Sequence, residues 1–271
     1  MTSVIPRARP KTASPESIIP ALPRMDSGSG ATRRPGMARI ASKDLHTMSS
    51  SKPKALIAWS SGKDSAWALH EARKSGDHDI VGALTTVTDS FGRVSMHGVR
   101  EELLVAQIAA AGLPPTIVRI PYPCPNDIYE REMAAALAAA KERGITHIIF
   151  GDLFLEDIRA YREEKLKGTG ITPVFPILLK PTGALAREMI DAGVEAHLAV
   201  VDLKKLPASF AGRRFAGDLL SELPTGIDPC GENGEFHSFV SAGPMLSRRI
   251  AVRVGETVER DGFAFADLLA G

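Results

Sequence analysis

From Lys54 onward the chain alternates short apolar runs with amphipathic stretches of helical period, and that rhythm admits few folds. Strand-like segments are predicted at Ala55 to Trp59, Ile80 to Val87, Thr116 to Ile120 and His147 to Phe150. Helical spacing falls between them, at Ser65 to Lys74, Val99 to Ala111 and about Asp127 to Arg143. Strands joined through helices of this length are βαβ crossovers, which require a parallel sheet covered on both faces. The expectation is therefore an α/β fold. After Gly151 the reading continues with a charged helix from Leu155 to Lys167, a proline-interrupted strand from Pro173 to Leu179, a helix from Gly183 to Ala192 and a strand from Ala196 to Val201. A late strand is predicted at Arg249 to Val254.

Three segments follow. Residues 1–52 are rich in Ser, Pro, Arg and Gly without apolar periodicity and read as a disordered extension, with a transit peptide or an upstream start before Met37 or Met48 as the other readings. Residues 53–169 form the first globular part, and 170–271 a smaller C-terminal α/β subdomain with a cleft between the two. Nine Lys/Arg face three acidic residues in 1–52; of the totals of 33 and 32, this leaves 24 basic and 29 acidic residues in 53–271. That mildly acidic balance argues against a nucleic-acid footprint. No apolar run reaches the roughly 20 residues that a bilayer span needs. Cys124 and Cys230 stand far apart without a CxxC, which excludes a disulfide framework and suits a reducing cytoplasm.

The polar turn Ser60-Ser61-Gly62-Lys63-Asp64-Ser65 lies directly behind the apolar run Ala55-Leu56-Ile57. A strand that turns straight into a helix aims backbone N–H groups and the positive helix end at one spot, an anion site. Gly62 permits close approach, and Ser60, Ser61 and Ser65 add hydroxyls. Lys63 neutralises phosphate charge, whereas Asp64 beside phosphates needs an intervening cation, so the pair predicts Mg²⁺ with Asp64 in its shell. The plainer alternative is a serine-rich helix cap in which Asp64 complements the dipole. A single glycine rules out the GxxxxGK[ST] loop.

A second unusual stretch is Asp228-Pro229-Cys230-Gly231-Glu232-Asn233-Gly234-Glu235-Phe236-His237-Ser238-Phe239. Gly231 and Gly234 bracket a tight turn, after which Glu235 and His237 fall on one face of an extended strand about 7 Å apart. They could hold one substrate together, or be solvated charges on a hairpin. Cys230 has no base beside it and is not expected to act as a nucleophile.

Together the two stretches resemble the diphthine–ammonia ligase-like family within the PP-loop ATP pyrophosphatase superfamily. Ser60 to Ser65 is similar to its S-G-G-x-D-S loop, with Ser61 in place of the first glycine, and Gly231 to Phe239 is similar to its G-E-x-G-E-[FY]-x-x-F signature. The resemblance covers about residues 54–246. It implies a HUP-like parallel sheet sandwiched by helices, ATP as cosubstrate, and nucleotide contacts from Met96, His97, Gly151 and Asp152. Arg159 and Glu163 also stand where the family carries an Arg and a Glu, although on spacing alone they read as a solvated helix face. The implied activity is AMP-forming amide ligation of a carboxylate acceptor, small or protein-borne, with ammonia. Glu232, Glu235 and His237 would grip the acceptor or take the amine proton. Asp152 replaces a usual alanine and a tryptophan near Phe175 is missing, which points to an acceptor other than diphthine, such as a corrinoid carboxylate. The alanine- and arginine-rich composition reads as that of a bacterial member, cytoplasmic and compatible with a homodimer. Two rivals remain: a tRNA-modifying relative, disfavoured by the acidic balance, and a nucleotide sensor without turnover.

Overall fold

The computed structural model describes residues 52–153 and 156–271, so the reading of residues 1–52 falls, Lys52 apart, outside the described residues. The expected α/β fold is present: one largely parallel sheet flanked by helices, followed by a separate antiparallel sheet. The first sheet contains β1 (Lys54–Ala58), β2 (Asp79–Thr88), β3 (Arg93–Val94), β4 (Pro115–Ile120), β5 (Ile145–Ile149) and β6 (Thr172–Val174). Its helices are α1 (Lys63–Ser75), α2 (Glu101–Ala110), α3 (Asn126–Glu142) and α4 (Glu156–Leu166).

The parallel strands run β4-β2-β1-β5-β6, and β3 lies antiparallel on β2. The chain thus builds outward from β1 on one side and then returns to its other side with β5. Such a reversal opens a crevice at the carboxyl ends of the two neighbouring strands. In β1, Ala55, Leu56 and Ile57 are all fully buried, as a strand covered on both faces requires. Alternation sends Ala55 and Ile57 into one core with α1 and α2, while Leu56 enters the other with Leu137 and Ala140 of α3 and Leu166 of α4.

The second sheet has the order β8-β7-β10-β9, from β7 (Glu195–Asp202), β8 (Phe236–Ala242), β9 (Val252–Arg260) and β10 (Phe263–Ala270). Helices α5 (Thr182–Asp191) and α6 (Gly217–Glu222) accompany it. The core that holds Ile57 and Trp67 continues without a break through Leu185, Val200, Phe239 and Leu268. On its rim, Asp267 of β10 accepts hydrogen bonds from Arg93 at 2.9 Å and Arg100 at 2.7 Å, pinning the antiparallel sheet to β3 and the start of α2.

Two expectations need correction. The strand expected at Pro173 to Leu179 stops at Val174, because Pro176 has no N–H to give a ladder and the chain turns, Leu178 N–H donating to the Phe175 carbonyl. The late strand expected at Arg249 to Val254 begins at Val252 and runs to Arg260, and its partner β10 was missed. The two join through Asp261-Gly262, both at positive φ, the Asp-Gly pair that a tight hairpin turn favours. Among the described residues no helix is long and apolar enough to cross a membrane.

Candidate functional site

The loop behind β1 is held by its own hydroxyls and by β8. Ser60 and Ser65 hydroxyls lie 3.1 Å apart, and Ser65 Oγ donates to the Gly62 carbonyl at 3.0 Å. Ser61 adopts φ +70, the left-handed region that glycine occupies without steric cost, and its buried hydroxyl has no partner among the described residues. The Ser61 carbonyl accepts from Val240 N–H of β8 at 3.1 Å and from Gln107 Nε2 at 3.0 Å. Gln107, wholly buried on α2, also donates to the Val240 carbonyl at 2.6 Å and accepts from Trp59 Nε1 at 2.7 Å. Sequence reasoning missed this residue; its signal was an amide inside the apolar stripe Leu103, Leu104 and Ile108.

Gly151, two residues beyond the end of β5 at Ile149, packs against the β1 loop from the other side. A Cβ there would fall 2.7 Å from Asp64 C and Ser65 N, so the two strand-end loops touch through bare backbone. Asp152 follows and takes a 3.4 Å contact from Arg162 Nε. A separate hollow lined by Lys54, His78, Asp79 and Thr146 lies at the amino ends of β1 and β5, away from these loops.

Lys63 turns inward, with 2% of its side chain exposed. Its ammonium donates to both Asp64 oxygens, at 3.0 and 2.8 Å, and to the Cys230 carbonyl, beneath the rings of Phe236 at 5.3 Å and Phe215 at 5.6 Å. Burial works against its charge, yet Asp64, Cys230 and Glu232 outweigh burial and hold its pKa above the ordinary value. Asp64 keeps 24% of its side chain open; burial shifts its carboxyl upward while Lys63 opposes the shift.

Glu232 completes the group, its Oε2 accepting from Leu153 N–H at 3.4 Å. Burial, reinforced by the Asp64 charge, pushes its carboxyl up to about 8. A carboxyl raised in this way favours the fold while protonated, so its contribution is complete below about pH 4.5 and is lost as pH climbs through about 8. Thermal midpoints measured from about pH 5 to about pH 9 should therefore fall for the natural chain and stay flatter for Glu232→Gln. Parallel curves for the two proteins would contradict this placement of Glu232.

The turn carrying Glu232 is built by two other carboxylates. Asp228 accepts from Cys230 N–H at 2.8 Å and Glu232 N–H at 3.3 Å. Glu235, almost fully buried, accepts from Asp228 N–H at 3.2 Å, Asn233 N–H at 2.9 Å and Asn233 Nδ2 at 3.1 Å. Glu235 thus closes its own turn just before β8, while His237, the second residue of β8, packs against His97 with ring centroids 4.6 Å apart and planes tilted by 39°. His97 Nδ1 lies 3.2 Å from the Ser238 carbonyl, which can only accept; the proton therefore sits on Nδ1 and leaves Nε2 as an acceptor. Burial and the nearby Lys63 keep His97 neutral, with a pKa lowered to about 4. Burial, then His97 and Lys63, hold His237 well below the ordinary imidazole value. His97 Cε1 packs where a Cβ on Gly62 would stand, 2.8 Å away. Met96 instead projects at the rim, 37% exposed. Burial lifts the Cys230 thiol to about 12.

Ser60 to Ser65, His97, Gly151, Asp152, Glu232 and His237 are thereby gathered at the carboxyl ends of β1 and β5. Among the described residues no three His, Cys, Asp or Glu side chains form a ready metal cage. Asp64 and Glu232 suit a hard cation that takes its remaining oxygens from ligand and water.

Fold and site together define an α/β protein with a cluster of polar and charged side chains at the switch point of a parallel sheet, buttressed by a C-terminal antiparallel sheet. Residues 181–266, from the residue before α5 into β10, match the family model of the diphthamide synthase C-terminal domain. The matched stretch includes Asp228 to His237, so the C-terminal part of the chain is similar to the C-terminal domain of diphthamide synthase. No curated protein matches the chain significantly.

Proposed function

We propose that the protein is an ATP-dependent ligase that activates a carboxylate by adenylation and amidates it with ammonia. The observation that carries this reading is the joining of the Ser60–Ser65 loop, through Lys63 and Asp64, to the Glu232 turn inside the stretch that matches diphthamide synthases.

In this reading the crevice between the β1 and β5 loops receives ATP, with the outer phosphates toward the Ser60 and Ser65 hydroxyls and the start of α1. Asp64, with Glu232 near, would hold Mg²⁺, which offsets phosphate charge when bound. The acceptor carboxylate attacks the α phosphorus; the bond to the bridging oxygen breaks and pyrophosphate leaves with its electrons. Ammonia then attacks the acyl carbon, AMP departs, and the extra amine proton passes to a base. Glu232, the carboxyl beside Asp64 on the 231–234 turn, is the residue proposed to take that proton. His237, neutral beside the acceptor's approach, serves as a hydrogen-bond partner rather than a charge. The chain's contribution is mostly positioning and fixed electrostatics.

The test is an assay of ATP with ammonium and a panel of carboxylates, from diphthine peptides to small di- and tricarboxylic acids. Pyrophosphate and AMP in step with amide are expected; ADP and inorganic phosphate would overturn the scheme.

A further inference from the structure

We propose that Lys63 is a positioning residue that brackets the segment carrying Glu232 and His237, and that it is not a phosphate ligand. The role rests on the ligase reading above, but the contacts that define it do not.

The residue is gripped at both ends. Its main-chain N–H donates to Ser238 Oγ at 3.1 Å, and its ammonium donates to the Cys230 carbonyl. Those two anchors flank Glu232 and His237 on either side. An ammonium has three donors and no acceptor. Here they are taken up by a carbonyl and the two oxygens of Asp64, under two aromatic faces that favour a cation in place. To reach a phosphate, Lys63 would have to abandon both the Cys230 carbonyl and Asp64, leaving two half-buried carboxyl groups, Asp64 and Glu232, without their cation. One inward lysine thus does three things: it fixes where the Glu232 turn sits against α1, orients Asp64, and sets the charge that Glu232 senses.

Lys63→Met, close in length and uncharged, is the informative variant. Backbone hydrogen exchange read by mass spectrometry should show protection lost at least about tenfold in both 60–66 and 228–238, with the far strands unaffected. Calorimetric Mg·ATP affinity should stay within about threefold of the natural chain while the kcat of pyrophosphate release falls about a hundredfold. An ATP affinity loss of thirtyfold or more with unchanged exchange at 228–238 would overturn the proposal and make Lys63 a phosphate ligand. Should neither protein bind ATP, the exchange result still decides the bracket, and the ligase reading alone fails. If Lys63→Met does not fold, Lys63→Arg is read the same way, because a planar guanidinium keeps the charge yet does not reproduce a compact ammonium between Cys230 and the two rings.

Discussion

Asp64→Asn is expected to fold with a lowered thermal midpoint, because it leaves the buried Lys63 ammonium without its carboxylate, and to release pyrophosphate some 10²- to 10³-fold more slowly than the natural chain, the usual effect of removing one preorganised electrostatic group. The carboxylate keeps 24% of its side chain exposed and is the partner of a buried ammonium. Asparagine keeps the size but cannot neutralise Lys63 or attract a divalent cation, so the loss should appear mainly in kcat and should not be recovered by raising Mg²⁺. A carboxylate restored through Asp64→Glu, one methylene longer, should recover part of the rate. Equal turnover in Asp64→Asn would remove Asp64 from the chemistry. Unchanged ATP binding with no turnover in either protein would favour a sensor.

The second large effect belongs to Gly151→Ala. The added methyl group would lie 2.7 to 2.8 Å from backbone atoms of Asp64 and Ser65, which cannot swing aside as a side chain would. Either the β5 loop or the first turn of α1 must retreat, at a cost of about 3 kcal/mol by analogy with overpacked cores. Chemical denaturation should show a lower midpoint at unchanged slope, and Mg·ATP affinity should fall with it because the same displacement widens the crevice. A variant as stable and as tight-binding as the natural chain would mean that the two loops do not meet as described.

The parallel sheet was legible because each of its main strands is an apolar run followed by a helical period, a signal that local sequence carries by itself. The Ser60–Ser65 turn was legible for a similar reason, its residue types being packed into six positions. Other features depended on contacts distant in sequence. Nothing local indicates that Lys63 points inward, since its partners Cys230, Phe215 and Phe236 arrive more than 150 residues later. Gln107 is an amide within an apolar stripe whose partners, Trp59 and Val240 of β8, come from elements distant in sequence. Glu235 and Glu232 read alike, three residues apart in one motif, yet one closes the turn and the other faces Asp64 and Leu153. The β9–β10 hairpin carried an overlooked local signal, the Asp-Gly pair at 261–262.

The Gln107 amide bears on how such proteins can be recombined. It binds α2, the β1 loop and β8 at once, and no water-facing route offers its three partners a substitute. A chimera that grafted a relative's C-terminal sheet onto these first five parallel strands would need an edge with the same carbonyl and N–H at 240 and a hydroxyl at 238. Inheritance should therefore keep both parts together, each evolving as the other's mould.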